Sequence, residues 1–127
     1  MRVRDVTSPT LCVRYEEPSG LTLDRMRSAG VEHLIITRQK DIVGVASEKD
    51  LELFSAGNVD APVGQIATAV EVLGSDAPVK DAANVMRARR VGCVPVVDDD
   101  TIAGIVTIEK LLELIGREVM RPKRRQR

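Results

Sequence analysis

Residues 91–107 read VGCVPVVDDDTIAGIVT. Two β-rich runs, Cys93–Val97 and Thr101–Val106, flank three consecutive aspartates. Valine and isoleucine favour strands, and a polar break of this length suits a hairpin, although the Asn-Gly signature is lacking. Upstream, Ala82, Val85, Met86 and Arg89 recur at spacings of three and four, which predicts a helix over 78–89 with an inward stripe and one exposed end. Asp76, just before Ala77 and Pro78, reads as its N-cap signal, with proline near the first helical position. A short extended run, Val70–Leu73, precedes that helix. A further helix follows Thr107 through Leu111, Leu112, Leu114 and Ile115 to Gly116. The unit is β-α-β-β-α.

The same unit stands once more in the chain. A shift of 60 superposes Val3 on Val63, Pro18 on Pro78, Met26 on Met86, Val31 on Val91, Ile42 on Ile102, Gly44 on Gly104 and Leu51 on Leu111, without a gap. Conservative matches hold the register between them, such as Val6 with Ile66 and Ser47 with Thr107. The first copy therefore predicts a strand at Leu11–Tyr15, a helix over 19–29 closed by Gly30 in the left-handed conformation, and strands at His33–Thr37 and Asp41–Ala46. A second helix then runs through Leu51, Leu53 and Phe54 to Gly57. The expected units are repeat one at 1–60, repeat two at 61–116 and a basic tail at 117–127. A unit of about 55 residues is marginal by itself. Two copies can bury their apolar sheet faces against each other, leaving a cleft along the pseudo-twofold seam. The fold class is α/β (α+β).

Composition bounds the function. The chain has 127 residues, 43% apolar and 30% charged, with one Tyr, one Phe and no Trp. So few rings argue against a stacking platform for single-stranded nucleic acid. Net charge is zero, but residues 1–116 carry 13 basic against 18 acidic side chains, and the last eleven carry six basic and one acidic. That tail suits a solubilising end or an acidic neighbour as well as an anionic surface or nucleic acid. Cys12 and Cys93 form no paired motif, and buried reduced thiols are expected for both. No secretory signal or membrane span is visible, so the expected compartment is the cytoplasm.

Residues 91–107, and their echo at 31–50, resemble the CBS domain, named for cystathionine β-synthase. The resemblance spans about 3–116 as a tandem pair, often called a Bateman module. It implies an adenine nucleotide bound between the repeats (AMP foremost, ADP or ATP as alternatives, S-adenosylmethionine less favoured) and a disc-like homodimer. In that family a Ser/Thr-x-x-Asp opening the second helix carries ribose and phosphate contacts. Here that is Ser47-Glu48-Lys49-Asp50. A carboxylate can accept from both ribose hydroxyls, and a serine at a helix N-terminus presents its hydroxyl and free N–H groups to phosphate. The same tetrapeptide also reads as a capping box. The resemblance places His33 toward the phosphates, though a lone histidine on a strand is as often structural. It places the base against Ile66, Glu71, Val72, Val91 and Gly92, closed by Val45. Gly92 would admit the base close to the backbone.

The second copy departs from the pattern. Thr107 and Lys110 stand where Ser47 and Asp50 do, and Cys93 where His33 does. Lysine has no acceptor for a ribose diol, so that site is expected to be degraded, unless Lys110 reaches across to phosphates at the first. No metal site is expected, since no second histidine exists, and the Asp98–Asp100 run reads as a solvated turn. No phosphate-loop, dinucleotide or zinc-protease motif occurs, and no catalytic constellation is expected. The function implied is a non-enzymatic sensor acting on some regulated protein. The alternative is a ligand-independent dimerisation or interaction scaffold.

Overall fold

The computed structural model describes residues 1–120; the basic run 121–127 lies outside the described residues. Strand β1 (Leu11–Arg14) is followed by helix α1 (Ser19–Ala29), the β2–β3 hairpin (His33–Arg38 and Asp41–Ser47) and α2 (Glu48–Ser55). The second copy follows as β4 (Leu73–Gly74), α3 (Val79–Arg89), β5 (Cys93–Asp98), β6 (Thr101–Thr107) and α4 (Ile108–Met120). Each copy makes one three-stranded sheet. Its first strand runs parallel to the second, and the second antiparallel to the third. The α/β tandem repeat read from the sequence is the architecture observed.

Four local readings change, the first being that α4 continues past Gly116 to Met120, into the segment read as a tail. β4 is shorter than the Val70–Leu73 run, because Val70 packs between the sheets instead of pairing with β5. Asp76 does not cap α3. Pro78 holds the cap position without a side-chain bond, and Asp76 pairs with Arg4. Cys12 is exposed, while Cys93 is buried as expected. The helix stripes hold, with Leu23 and Met26 buried in α1 and Ala82 and Met86 in α3. Gly30 closes α1 at φ 68°.

The packing adds what the repeat pattern leaves out. A one-turn helix precedes each first strand, at Val3–Val6 and at Val63–Ile66. Val3 and Val6 are buried in the core of the second copy, with Ala82, Met86, Val94, Val96, Val106 and Leu111. Val63 is buried in the core of the first, with Val13, Met26, Leu34, Ile36 and Leu51, and Ile66 packs against that cluster. The two copies thus exchange their leading segments, so a cut at residue 60 separates sequence repeats rather than packed units.

Backbone bonds repeat the exchange symmetrically. Val3 N–H donates to Ala77 O at 2.8 Å, and Val63 N–H to Glu17 O at 2.8 Å. Ser8 and Ile105 bond reciprocally at 2.8 and 2.9 Å, and so do Thr68 and Val45 at 2.9 and 3.0 Å. The crossing segment passes over the third strand beside a bulge, where Gly44 or Gly104 stands. The two sheets meet through Ile35, Val45, Cys93 and Ile105, all at least 97% buried.

Candidate functional site

The end of β3 and the start of α2 form one wall of a cleft between the repeats. Val45, Ala46 and Ser47 reach it from the strand and Asp50 from the first helical turn. Thr68 lies on the crossing segment of the second copy. Arg90, Val91, Gly92 and Cys93 form the far wall, and His33 closes the floor. The cleft encloses about 230 Å3. Of the expected residues, the structure brings together His33, Val45, Ser47, Asp50, Val91 and Gly92.

It does not bring in Ile66, Glu71 or Val72. Ile66 packs on the first core, Glu71 pairs with Arg89, and Val72 is exposed. Ala46, Thr68, Arg90 and Cys93 were missed. Thr68 was findable, since it lies inside the 66–72 stretch and its bond to Val45 is the mate of Ser8 to Ile105.

Ser47 accepts a bond from Asp50 N–H at 3.1 Å, so the capping geometry is real. The Asp50 carboxylate makes no hydrogen bond or ion pair among the described residues, and both its oxygens are free to accept. Arg90 ends α3 at φ 54°, where the first copy has Gly30. A left-handed non-glycine residue costs about 1–2 kcal/mol, and such strain clusters at functional positions. It sets a guanidinium-bearing residue on the cleft wall opposite Asp50. Larger hollows lie along β1, near Arg14, Glu16 and Glu17. Both carboxylates there are paired, Glu17 with Arg25 and Glu16 with Arg38.

A pseudo-symmetric cleft of about 280 Å3 opens on the other side. Ser8, Pro9, Thr10, Val31, Glu32, His33, Ile105, Thr107 and Glu109 line it. Lys110 lines neither cleft; its N–H bonds the Thr107 hydroxyl at 3.1 Å, mirroring the first cap.

His33 touches both clefts. Its Nε2 lies 3.0 Å from Glu109 Oε1, so the ring is aimed across the seam at the second copy. Gly92 has its small size for the same reason. A Cβ there would stand 2.7 Å from His33 Cε1, so the ring, rather than a base, fills the space above that backbone. Across the pseudo-axis the sizes invert, with the smaller Cys93 at the histidine position and Glu32 at the glycine position.

A family model described as "CBS domain" matches residues 63–117. The structure of the CBS domain pair of protein MJ0100, solved with 5-methylthioadenosine and S-adenosyl-L-methionine, superposes with a TM-score of 0.78 at 28% identity. That match covers 91% of this chain and 100% of that one. The chain has the fold of a CBS-domain pair. Hypoxic Response Protein I, solved with two coordinated zinc ions, matches this CBS pair with a TM-score of 0.73 at 24% identity, covering 90% and 98% of the two chains. ATU1752 from Agrobacterium tumefaciens, a CBS-domain-containing protein, matches at 0.75 and 17%, covering 91% and 99%. At these identities the two speak for the fold. A search of curated protein sequences gave no match. Among the described residues, no helix of the CBS pair is long and apolar enough to cross a membrane.

The two thiols of the CBS pair differ sharply. Burial, with Glu109 adding negative charge, pushes Cys93 up to about 12; partial burial also raises Cys12. A thiol reagent at pH 8 should modify Cys12 and spare Cys93 until the protein unfolds. A folded thiol titrating above its unfolded value contributes stability that is complete below about pH 8.5. That contribution is lost as pH rises toward 12, with about 2 kcal/mol gone by pH 10. Chemical denaturation at pH 7 and 10 should show that loss in the parent and a smaller one in Cys93→Ala.

Proposed function

We propose that this CBS pair is a non-catalytic sensor that binds one adenosine-containing ligand in the cleft between Ser47–Asp50 and Arg90–Cys93. The observation that carries the reading is the Asp50 carboxylate, uncommitted and lining a hollow built by both repeats. Such a group can take both hydroxyls of a ribose. The Ser47 hydroxyl accepts from Asp50 N–H and keeps its own proton to donate to a ligand oxygen. Val45, Thr68 and Val91 offer a narrow slot for a base. Drug-sized ligands fill about 300–1,000 Å3, so a space of 230 Å3 suits one nucleoside with its tail outside. The relative solved with 5-methylthioadenosine and S-adenosyl-L-methionine supports an adenosine core. Arg90 favours an anionic tail, which ranks AMP first, ADP and ATP next and S-adenosylmethionine last. Because the ligand would touch both repeats, binding would bias their relative packing, and through it a homodimer or a regulated protein, if its affinity differs between two states.

At one hundred times Kd, a native-state ligand adds about 2.7 kcal/mol, or about 10 °C in Tm for a chain of this size. AMP should produce such a shift in the parent protein, and Asp50→Ala should abolish it while leaving the ligand-free Tm within about 2 °C. No shift with AMP, ADP, ATP, 5-methylthioadenosine or S-adenosylmethionine would end this reading.

A second reading is a ligand-independent scaffold. Leu112 and Ile115 on α4 are each 58% exposed, and Leu53 on α2 is 73% exposed, which suits an apolar contact. A dimer by light scattering that ignores every adenylate, and is broken by Leu112→Glu, would favour the scaffold.

A further inference from the structure

The lone histidine of the sequence is joined in space by two carboxylates from different repeats. One donor atom from each of Glu32, His33 and Glu109 lies within 4.8 Å of the others. We propose that these three side chains form a divalent transition-metal site, suited to zinc, on the seam between the repeats. The donors come from two elements in different repeats: Glu32 and His33 at the start of β2, and Glu109 in the first turn of α4. The imidazole is nine-tenths buried, and its Nε2 faces Glu109.

The charges point the same way. Glu32 makes no ion pair among the described residues, and Glu109 meets only the imidazole. Two carboxylates converge on a ring that can carry at most one positive charge. A divalent cation balances them fully. One nitrogen and two oxygens are a zinc-type donor set that leaves a fourth position for water or a ligand atom. Imidazole disfavours magnesium and calcium, which prefer all-oxygen shells. The open position would face the cleft bounded by Ser8, Thr10 and Thr107. The sequence reading excluded a metal site for want of a second histidine; Glu109, 76 residues away, supplies a carboxylate partner instead.

The test uses the full chain, chelator-treated and free of nucleotide, in a Cys12→Ser background that removes the exposed thiol. Titration with zinc chloride by calorimetry should give one ion per chain. Glu109→Gln and Glu32→Gln, both at exposed positions, should each weaken Kd at least tenfold while the protein stays folded by circular dichroism. Cobalt should replace zinc with a visible absorption band, and magnesium should not compete. Absence of zinc binding, or binding unaffected by both glutamine variants, would overturn the site. Because nucleotide is excluded throughout, failure here leaves the adenosine reading standing, and the reverse also holds.

Discussion

Replacing Val3 and Val6 together by alanine should weaken the far end of the chain more than the region where the substitutions sit. Both side chains are buried against Ala82, Met86, Val94, Val96 and Val106. Each truncation removes about two methylene-sized groups at about 0.8 kcal/mol apiece, and the cavity left behind adds to that. The pair should cost about 3–5 kcal/mol, a large part of the stability of a domain this size. Hydrogen exchange should locate the loss: protection should fall first in α3, β5 and β6 and later in β1–β3. The mirror experiment, Val63→Ala with Ile66→Ala, should reverse that order. Equal losses in both halves, or losses confined to residues near position 3, would contradict the exchange of leading segments.

The second large effect concerns the two glycines where the crossing segments pass over β3 and β6. At Gly44 an added Cβ would lie 2.4 Å from Thr68 O, and at Gly104 2.2 Å from Ser8 O. Both obstacles are backbone atoms, which cannot swing aside as a side-chain tip can. Gly104 also sits at φ 147°, a conformation that side-chain-bearing residues rarely adopt. Overpacking costs about 1–3 kcal/mol and such backbone strain about 1–3 more. Gly44→Ala should therefore lose about 1–3 kcal/mol and Gly104→Ala about 2–6, measured by urea denaturation. Gly44→Ala should also weaken adenylate binding, because it pushes Thr68 off the wall of the first cleft. Gly104→Ala should leave that cleft nearly intact. A Gly104 variant as stable as the parent would show that the crossing is looser than described.

Much of this was legible in one dimension. The shift of 60 located both sheets, the four long helices and the equivalence of Gly44 with Gly104, because apolar periodicity is a local property. It also placed a helix start after Ser47, and the resemblance to CBS domains, not the shift, turned Ser47 and Asp50 toward the seam. The exchange was not legible. The match of Val3 with Val63 says that a residue recurs, not which core receives it. Gly92 was assigned to a base for want of knowing that the His33 ring lies over it. Arg90 gave no signal, since its left-handed conformation follows from the helix end and its place in the cleft from the docking of two repeats. Glu109 was invisible as a partner of His33 for the same reason: only the pseudo-twofold packing brings residues 76 apart into contact. Asp76 had the composition of a cap, but a nearby arginine claimed it.

The reciprocal hand-over at the two chain starts also governs the order of events at the ribosome. Residues 3–6 emerge early, yet the side chains they must meet at 94–111 are translated some ninety residues later. The first half can close its interior once residues 63–66 have followed it, whereas the second needs both residues 3–6 and the stretch up to Leu111. Such long-range closure slows folding relative to chains whose contacts are local. The second half of the nascent chain should therefore stay protease-sensitive until α4 has left the exit tunnel, after the first half has already become resistant.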